Sequence, residues 1–495
     1  MQTFEIANTK LLLTRVNGRC HAVSATCPHA GAPLGEGVLR DGVVTCPWHK
    51  AAFRVDTGER LEPPAVDDLT PYPVTVSNSR VSVTIPDQVD DDLAQITVTD
   101  PRCMAIIGAG AAGAIAAQTL RESGFAGRVV LIGTEERLPY DRTIQSKYAL
   151  SGKQGKEKSP LQNEDFYTKQ AIERMTRTVV SVEPAARRIR FQDGGELAYD
   201  AALLATGGAP RALDLPGQDL KNVHLLRTPD DAAAIVRSAE TAKHAVVIGV
   251  GFIGMEAAAS LRERGLEVAV VAPQSAPLEK QLGAEVGTIF RRVHEREGIA
   301  FHLGQEVAAL EGDGRVAGVR LKNGNLLPAD LVVAGLGVTP ATEVLKGASR
   351  REDGGVAVDA QLRVAEGLYA AGDIAAFPLY GSGERIRVEH WRVAEQHGRV
   401  AALNMMGRST SYDAVPVFWT INFMKRLDYV GHATDWDEIV IDGDTEKPEF
   451  IAFYAKAGRV QAVAGWSRDQ QIALAISLME ERHDWAVGEL REKLS

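Results

Sequence analysis

Residues 104–120 read "MAIIGAGAAGAIAAQTL". Four apolar residues run into Gly108, Gly110 and Gly113 in the pattern G-x-G-x-x-G, and an Ala-rich stretch follows. The pattern predicts a strand, a tight turn and a helix. Gly108 makes the turn, Gly110 lets a pyrophosphate approach the backbone, and Gly113 lets the helix pack close to the strand. The helix N-terminus then faces the phosphate charge. An acid for the ribose is expected about twenty residues on, where Glu135 and Glu136 follow the apolar run "VVLIG". The same unit recurs at 244–261 as "HAVVIGVGFIGMEAAASL", with Gly249, Gly251 and Gly254. One such match is weak, because many are only tight turns. Two, each between a strand and an Ala-rich helix, point to a protein that binds two dinucleotides.

Outward from these units the chain changes character. Before residue 85 short runs such as "KLLLTRV", "GVVTCPW" and "RVSVTI" alternate with turn residues, which predicts an all-β domain. Pro86 to Arg102, with Asp90, Asp91 and Asp92, reads as an acidic linker, since like charges resist compaction. Beyond about residue 414 strands return ("FIAFYAKAG", "RVQAVAG"), closed by one amphipathic helix, "DQQIALAISLMEER". The expected fold is multidomain: an all-β domain and linker at 1–98, a first dinucleotide domain at 99–226 and 356–412, a second at 227–355, and an α+β domain at 413–495.

Composition narrows the function. The 495 residues are 45% hydrophobic and 24% charged, with a net charge of -10. That charge argues against general nucleic-acid binding. The longest apolar runs are broken by Gly, no export signal is visible, and a cytoplasmic location without a membrane span is expected. Four cysteines in a chain of this length do not form a disulfide framework. None follows Cys103, so disulfide reduction through a cysteine pair beside a flavin is excluded. Cys20 and Cys103 read as core.

The other two cysteines lie in "CPHAGAPL" and "CPWHKAAF", which supply Cys27, His29, Cys46 and His49. Each stretch holds one Cys and one His, as C-x-H and, sixteen residues later, C-x-x-H. Zinc sites more often use C-x(2–4)-C knuckles. The division into two thiolates and two imidazoles is that of a Rieske [2Fe–2S] centre, where histidines replace cysteines on one iron. Zinc and an empty site are the alternatives.

Further motifs carry a family likeness. "LPYDRTIQSK" (138–147), "LLATGGAPR" (203–211) and "LYAAGDIA" (368–375) resemble the flavin loop, the crossing segment and the second flavin motif of two-dinucleotide flavoprotein reductases. With "RVEHWRVAEQHGRVAALNMMG" (387–407) and "VPVFWTINF" (415–423), nearly the whole chain resembles apoptosis-inducing-factor-like proteins that carry a Rieske domain in front. The resemblance implies FAD in the first dinucleotide domain and NADH or NADPH in the second. Ala272 stands where an acid would select NADH, which leaves the preference open. The same resemblance implies that Asp373 binds the ribityl chain and that Lys147, paired with Glu256, lies beside the isoalloxazine. It places Arg142, Thr206 and Gly207 against the flavin, and brings His390, Trp391 and Trp419 to the flavin region; core packing is the alternative for these last three. Ala32 and Trp48 stand where high-potential Rieske proteins carry extra cysteines, so the centre resembles the ferredoxin type. The expected function is electron transfer from NAD(P)H through FAD to the cluster, then to a protein acceptor such as an oxygenase or haem monooxygenase. Relatives of this size often pair through the C-terminal domain, so a homodimer is possible. A redox-sensing flavoprotein and a small-molecule oxidoreductase are the alternatives.

Overall fold

The computed structural model describes residues 1–495 except 7, 87–93, 154–158 and 348. Asp90, Asp91 and Asp92 of the expected linker lie outside the described residues. Residues 94–102 form neither helix nor strand and lie along the next domain, with the Ile96 and Thr99 amides donating to Lys169 and Ala126.

The N-terminal part is all-β. One antiparallel sheet holds Gln2–Ile6, Thr9–Val16, Arg19–Ser24 and Pro71–Tyr72, and a second holds Val38–Arg40, Val43–Thr45, Ala52–Arg54 and Arg60–Glu62. Their apolar faces enclose a core of Leu12, Val23, Leu34, Val44, Phe53 and Leu69, into which Cys27 and Cys46 also pack. Both dinucleotide units form parallel sheets, as continuous apolar runs buried on two faces require. In the first, Cys103–Ile107 lies between Arg128–Gly133 and Ala201–Leu204, with Ile172–Thr176 and Leu368–Ala370 outside them. In the second, His244–Ile248 lies between Leu331–Ala334 and Glu267–Ala272. In both, the strand that carries the fingerprint is central, so the crevice opens at its carboxyl end.

The tail is a five-stranded antiparallel sheet from Val417–Asn422 to Arg459–Trp466. One of its faces packs on the second dinucleotide domain through Leu427, Tyr429, Phe450 and Trp466. The single closing helix expected here is corrected to two, Asp469–Glu481 and Val487–Leu494. Arg482 turns extended and ends the first. Glu489 reaches back to the Ala486 amide to start the second, whose Leu490 and Leu494, four residues apart, are buried. Cys20 and Cys103 are partly buried rather than fully enclosed. Among the described residues no helix is long and apolar enough to cross a membrane.

Two enclosed histidines make stability depend on pH. His294 and His397 are fully buried, and burial pushes their pKa values down to about 4 and about 3. The unfolded chain titrates near 6.5 and therefore binds more protons than the folded one as pH falls below that value. Stability is fully present above pH 6.5 and declines toward pH 4. From pH 6.5 to 5.5 each histidine should remove about 1 kcal/mol. Denaturant unfolding at the two pH values measures this, and an unchanged midpoint would contradict it.

Candidate functional site

The two glycine turns have the shape the sequence predicts. Gly108 and Gly249 adopt φ of 114° and 109°, a region L side chains avoid. A Cβ on Gly113 would lie 1.8 Å from the Gly108 carbonyl, so the helix Ala111–Glu122 seats against the turn only because position 113 is bare. At Gly254 the corresponding contact, to the Gly249 carbonyl, is 2.5 Å. Gly110 and Gly251 have nothing within 4 Å of an added Cβ. The backbone is thus exposed at the N-terminus of each helix, where a pyrophosphate fits. Beyond the first turn, Gly207 (φ 65°) abuts Arg227, and Asp373 lies 3.5 Å from the same guanidinium on the turn Gly372–Ile374. Thr206 donates to the Ala341 carbonyl. Glu135 is engaged by Tyr140 and by Arg142, at 3.0 Å each. Its neighbour Thr134 lines a cleft of about 320 Å³ with Thr176, Arg177 and Asp193.

The loop "LPYDRTIQSK" ends in a one-turn π-helix, Gln145–Ala149, which aims Lys147 into the interior. Lys147 Nζ lies 3.2 Å from Glu256 and donates to the Thr143 carbonyl at 2.9 Å. Glu256 sits on the first turns of the second fingerprint helix and also accepts from Ser146 and Thr420. The pair therefore ties the flavin loop, the second dinucleotide helix and the C-terminal sheet together. Arg142, Ser146, Arg227, Ile253 and Gly335 line a smaller cleft beside it.

The four Cys and His residues come together as two matched pairs. The Cys27 amide donates to Ala32 O and the Cys46 amide to Ala51 O, both at 2.8 Å, so the two loops close in the same way. His29 Nδ1 and His49 Nδ1 are 3.0 Å apart, with the rings edge to face. The Cys27 and Cys46 thiols share a hydrogen bond. Burial opposes ionisation of Cys46, yet that bond and the His49 and Trp48 amides bring its pKa down to about 6, while Cys27 is pushed up. His49 is held neutral by burial. A thiolate and neutral imidazoles are the forms that bind metal. Among the described residues no three His, Cys, Asp or Glu side chains converge as ligands of one ion. Separate thiol and imidazole pairs fit the two irons of a Rieske cluster.

Both imidazoles face the rest of the chain and are buried. His29 Nε2 lies 3.8 Å from Asp141 of the flavin loop. The His49 ring packs on Trp419 at 4.9 Å, and Trp419 packs on His390 at 5.0 Å. The Trp419 amide donates to His390 Nε2 at 3.3 Å. Trp391 instead packs with Val66, Ala114, Ile115 and Leu161, at the seam of the N-terminal domain and the first fingerprint helix. Around the histidines the seam is polar. Lys50, fully buried, contacts Asp428 at 3.3 Å and the Pro47 carbonyl; Arg426 reaches Pro47 from the opposite side. Arg60 pairs with Glu122, and Arg392 and Gln396 hold Glu62.

Several residues at this seam escaped the sequence reading, among them Asp141, Lys50 and Asp428. Asp141 stands inside the flavin-loop motif, and Lys50 follows His49 as a lone charge before the apolar "AAF". Those were the available signals. Asp428 offered none.

The pyridine nucleotide-disulphide oxidoreductase family model matches residues 103–398. The chain belongs to this family. A Rieske [2Fe-2S] domain model matches residues 1–73 and a reductase C-terminal model residues 417–493. This oxidoreductase is 37% identical over 95% of its length to "Apoptosis-inducing factor 3" of Mus musculus, covering 80% of that protein. It is 35% identical to "Rhodocoxin reductase" of Rhodococcus erythropolis, over 70% of this chain and 82% of that one. Among solved structures, the ferredoxin reductase for the CYP199A2 system of Rhodopseudomonas palustris superposes with a TM-score of 0.72 at 34% identity, covering 80% of this chain and 100% of that one. The oxidoreductase is accordingly an FAD-dependent enzyme of the ferredoxin-reductase kind, with FAD, NAD(P)H and a Rieske cluster as its redox groups. Its family name mentions a disulphide, but no cysteine follows Cys103.

Proposed function

We propose that this oxidoreductase is an NAD(P)H-dependent reductase that carries its own ferredoxin, residues 1–98, and delivers electrons to a protein acceptor such as an oxygenase or haem monooxygenase. One observation carries the reading: both cluster-ligand histidines are buried against residues of the flavin side, His29 on Asp141 and His49 on Trp419. A relay within one chain needs this juxtaposition. When bound, the nicotinamide supplies a hydride to FAD, and the cluster takes electrons singly.

In this reading Cys27, Cys46, His29 and His49 hold the cluster. Gly108, Gly110, Gly113, Thr206, Gly207 and Asp373 hold FAD, with Glu135 and Arg142 at its edge. Gly249, Gly251 and Gly254 hold the nicotinamide dinucleotide. Lys147, held 3.2 Å from Glu256, orients the nicotinamide and flavin, and His390 with Trp419 fills the space between flavin and cluster. A further relative, named as the ferredoxin reductase component of a chlorobenzene dioxygenase of Cupriavidus sp. and 35% identical over 77% of this chain, supports an oxygenase-type acceptor. Anaerobic titration with NADH and, separately, NADPH, followed by electron paramagnetic resonance, tests the reading. The flavin should bleach and a Rieske signal should appear at substoichiometric flavin reduction. Bleaching without a Rieske signal would refute the relay.

A further inference from the structure

Asp141 is 1% exposed and has one oxygen committed: Oδ1 accepts from the Thr143 amide at 2.7 Å and caps the turn Arg142–Ile144. That bond aims Oδ2 at the N-terminal domain, where it lies 3.8 Å from His29 Nε2. His29 Nε2 is buried and has no hydrogen-bond partner among the described residues. The Nδ1 atoms of His29 and His49 face each other, so the Nε2 edge of His29 points away from the ligand cluster and toward Asp141. Six residues on, the same loop presents Lys147 to Glu256. The loop therefore touches the nicotinamide–flavin crevice with one residue and the metal centre with another.

We infer that Asp141 is a positioning residue for the Rieske centre, contributed from the flavin loop of the other domain, and that it accepts the Nε2–H of His29. The inference rests on the ligand assignment above. Metal-bound histidines characteristically donate their second N–H to a carboxylate, which fixes the tautomer and ring orientation and makes the ligand more basic. The 3.8 Å separation closes by a small rotation of either side chain. A carboxylate here stabilises the more positive, oxidised cluster. It holds the reduction potential of the docked centre down. The flavin loop thus sets the potential of the centre to which the flavin supplies electrons.

The test is a potentiometric titration of the intact, cluster-loaded chain followed by electron paramagnetic resonance, comparing wild type with Asp141→Asn and Glu62→Gln. Asn keeps the cap to Thr143 and loses the charge. Glu62→Gln removes a carboxylate elsewhere on the same seam, where Arg392 and Gln396 hold it. Asp141→Asn should make cluster reduction about tenfold more favourable, which is about 59 mV for one electron, and should change the g-values. Asp141→Glu should restore part of the shift, and Glu62→Gln should leave the potential unmoved. An unshifted potential in Asp141→Asn, or an equal shift in Glu62→Gln, overturns the role of Asp141. A wild-type protein without a Rieske signal overturns the ligand assignment instead.

Discussion

Replacing Cys46 with Ser should abolish the Rieske signal entirely and leave reduction of the flavin by NADH within about twofold of wild type. Cys46 is 1% exposed and, beside Cys27, is the thiol brought down to a pKa of about 6. A serine hydroxyl in its place stays protonated at neutral pH and is a poor ligand for iron, so the thiolate pair on one iron is broken. The small N-terminal core also loses the folding energy that metal binding contributes. The crevice that handles NAD(P)H is built from other elements. Gly108 through Gly113 and Gly249 through Gly254 follow the central strands of two parallel sheets, the Lys147–Glu256 pair joins a π-helix to the second fingerprint helix, and the cores beneath them contain no residue of the N-terminal domain. Stopped-flow absorbance of the flavin, alongside paramagnetic resonance of the same sample, separates the two effects. A retained Rieske signal would show that Cys46 is not a ligand, and a flavin that no longer bleaches would show that the two centres are not independent.

The second large effect is expected at Lys50. Its ammonium is fully buried, where desolvation pushes its pKa down, and it is held by Asp428 and the carbonyls of Pro47 and Trp48. Asp428 is itself 1% exposed and, among the described residues, keeps Arg426 at 3.0 Å as its charged partner if Lys50 is removed. Breaking a buried ion pair by deleting one partner costs about 3–5 kcal/mol, and the remaining Arg426 places Lys50→Met at the lower end. The loss falls on the seam between domains. Global unfolding of the dinucleotide domains should move little, whereas cluster reduction by the flavin should slow at least tenfold. Rapid-mixing kinetics at the cluster, with denaturant unfolding monitored at the flavin, report these separately. Unaltered electron transfer would mean that the seam does not govern the relay.

Much of the fold was legible because its signals are local. An apolar run, three glycines at fixed spacing and an Ala-rich helix state the chemistry of a phosphate cradle within 17 residues, "MAIIGAGAAGAIAAQTL". The two Cys–His stretches declare a metal for the same reason. Lys147 and Glu256 were paired by resemblance, and the structure places them 3.2 Å apart. The seam was not legible. Lys50, in a loop, and Asp428, on a strand, are 378 residues apart, and nothing in the local pattern around either records that they meet. Asp141 reads in sequence as an ordinary turn-capping acid, and only the docking of another domain gives its free oxygen a neighbour. The second closing helix was missed because its eight residues, "VGELREKL", are mostly polar. Two leucines and a back-reaching Glu489 hold it.

If the proposed relay operates, the covered histidine edge also sets the molecularity of the first half of the cycle. A reductase that meets a separate ferredoxin transfers electrons at a rate that rises with the concentration of its partner. Here the partner is tethered, and the linker supplies a local concentration that dilution cannot lower. Flavin-to-cluster transfer is therefore first order, indifferent to how much protein is present. The same geometry puts the outgoing step in competition with the incoming one. An acceptor that draws electrons through the imidazole edge needs the surface that Asp141 and Trp419 already occupy. In that reading loading and unloading compete for a single face, and added acceptor raises turnover only to a plateau.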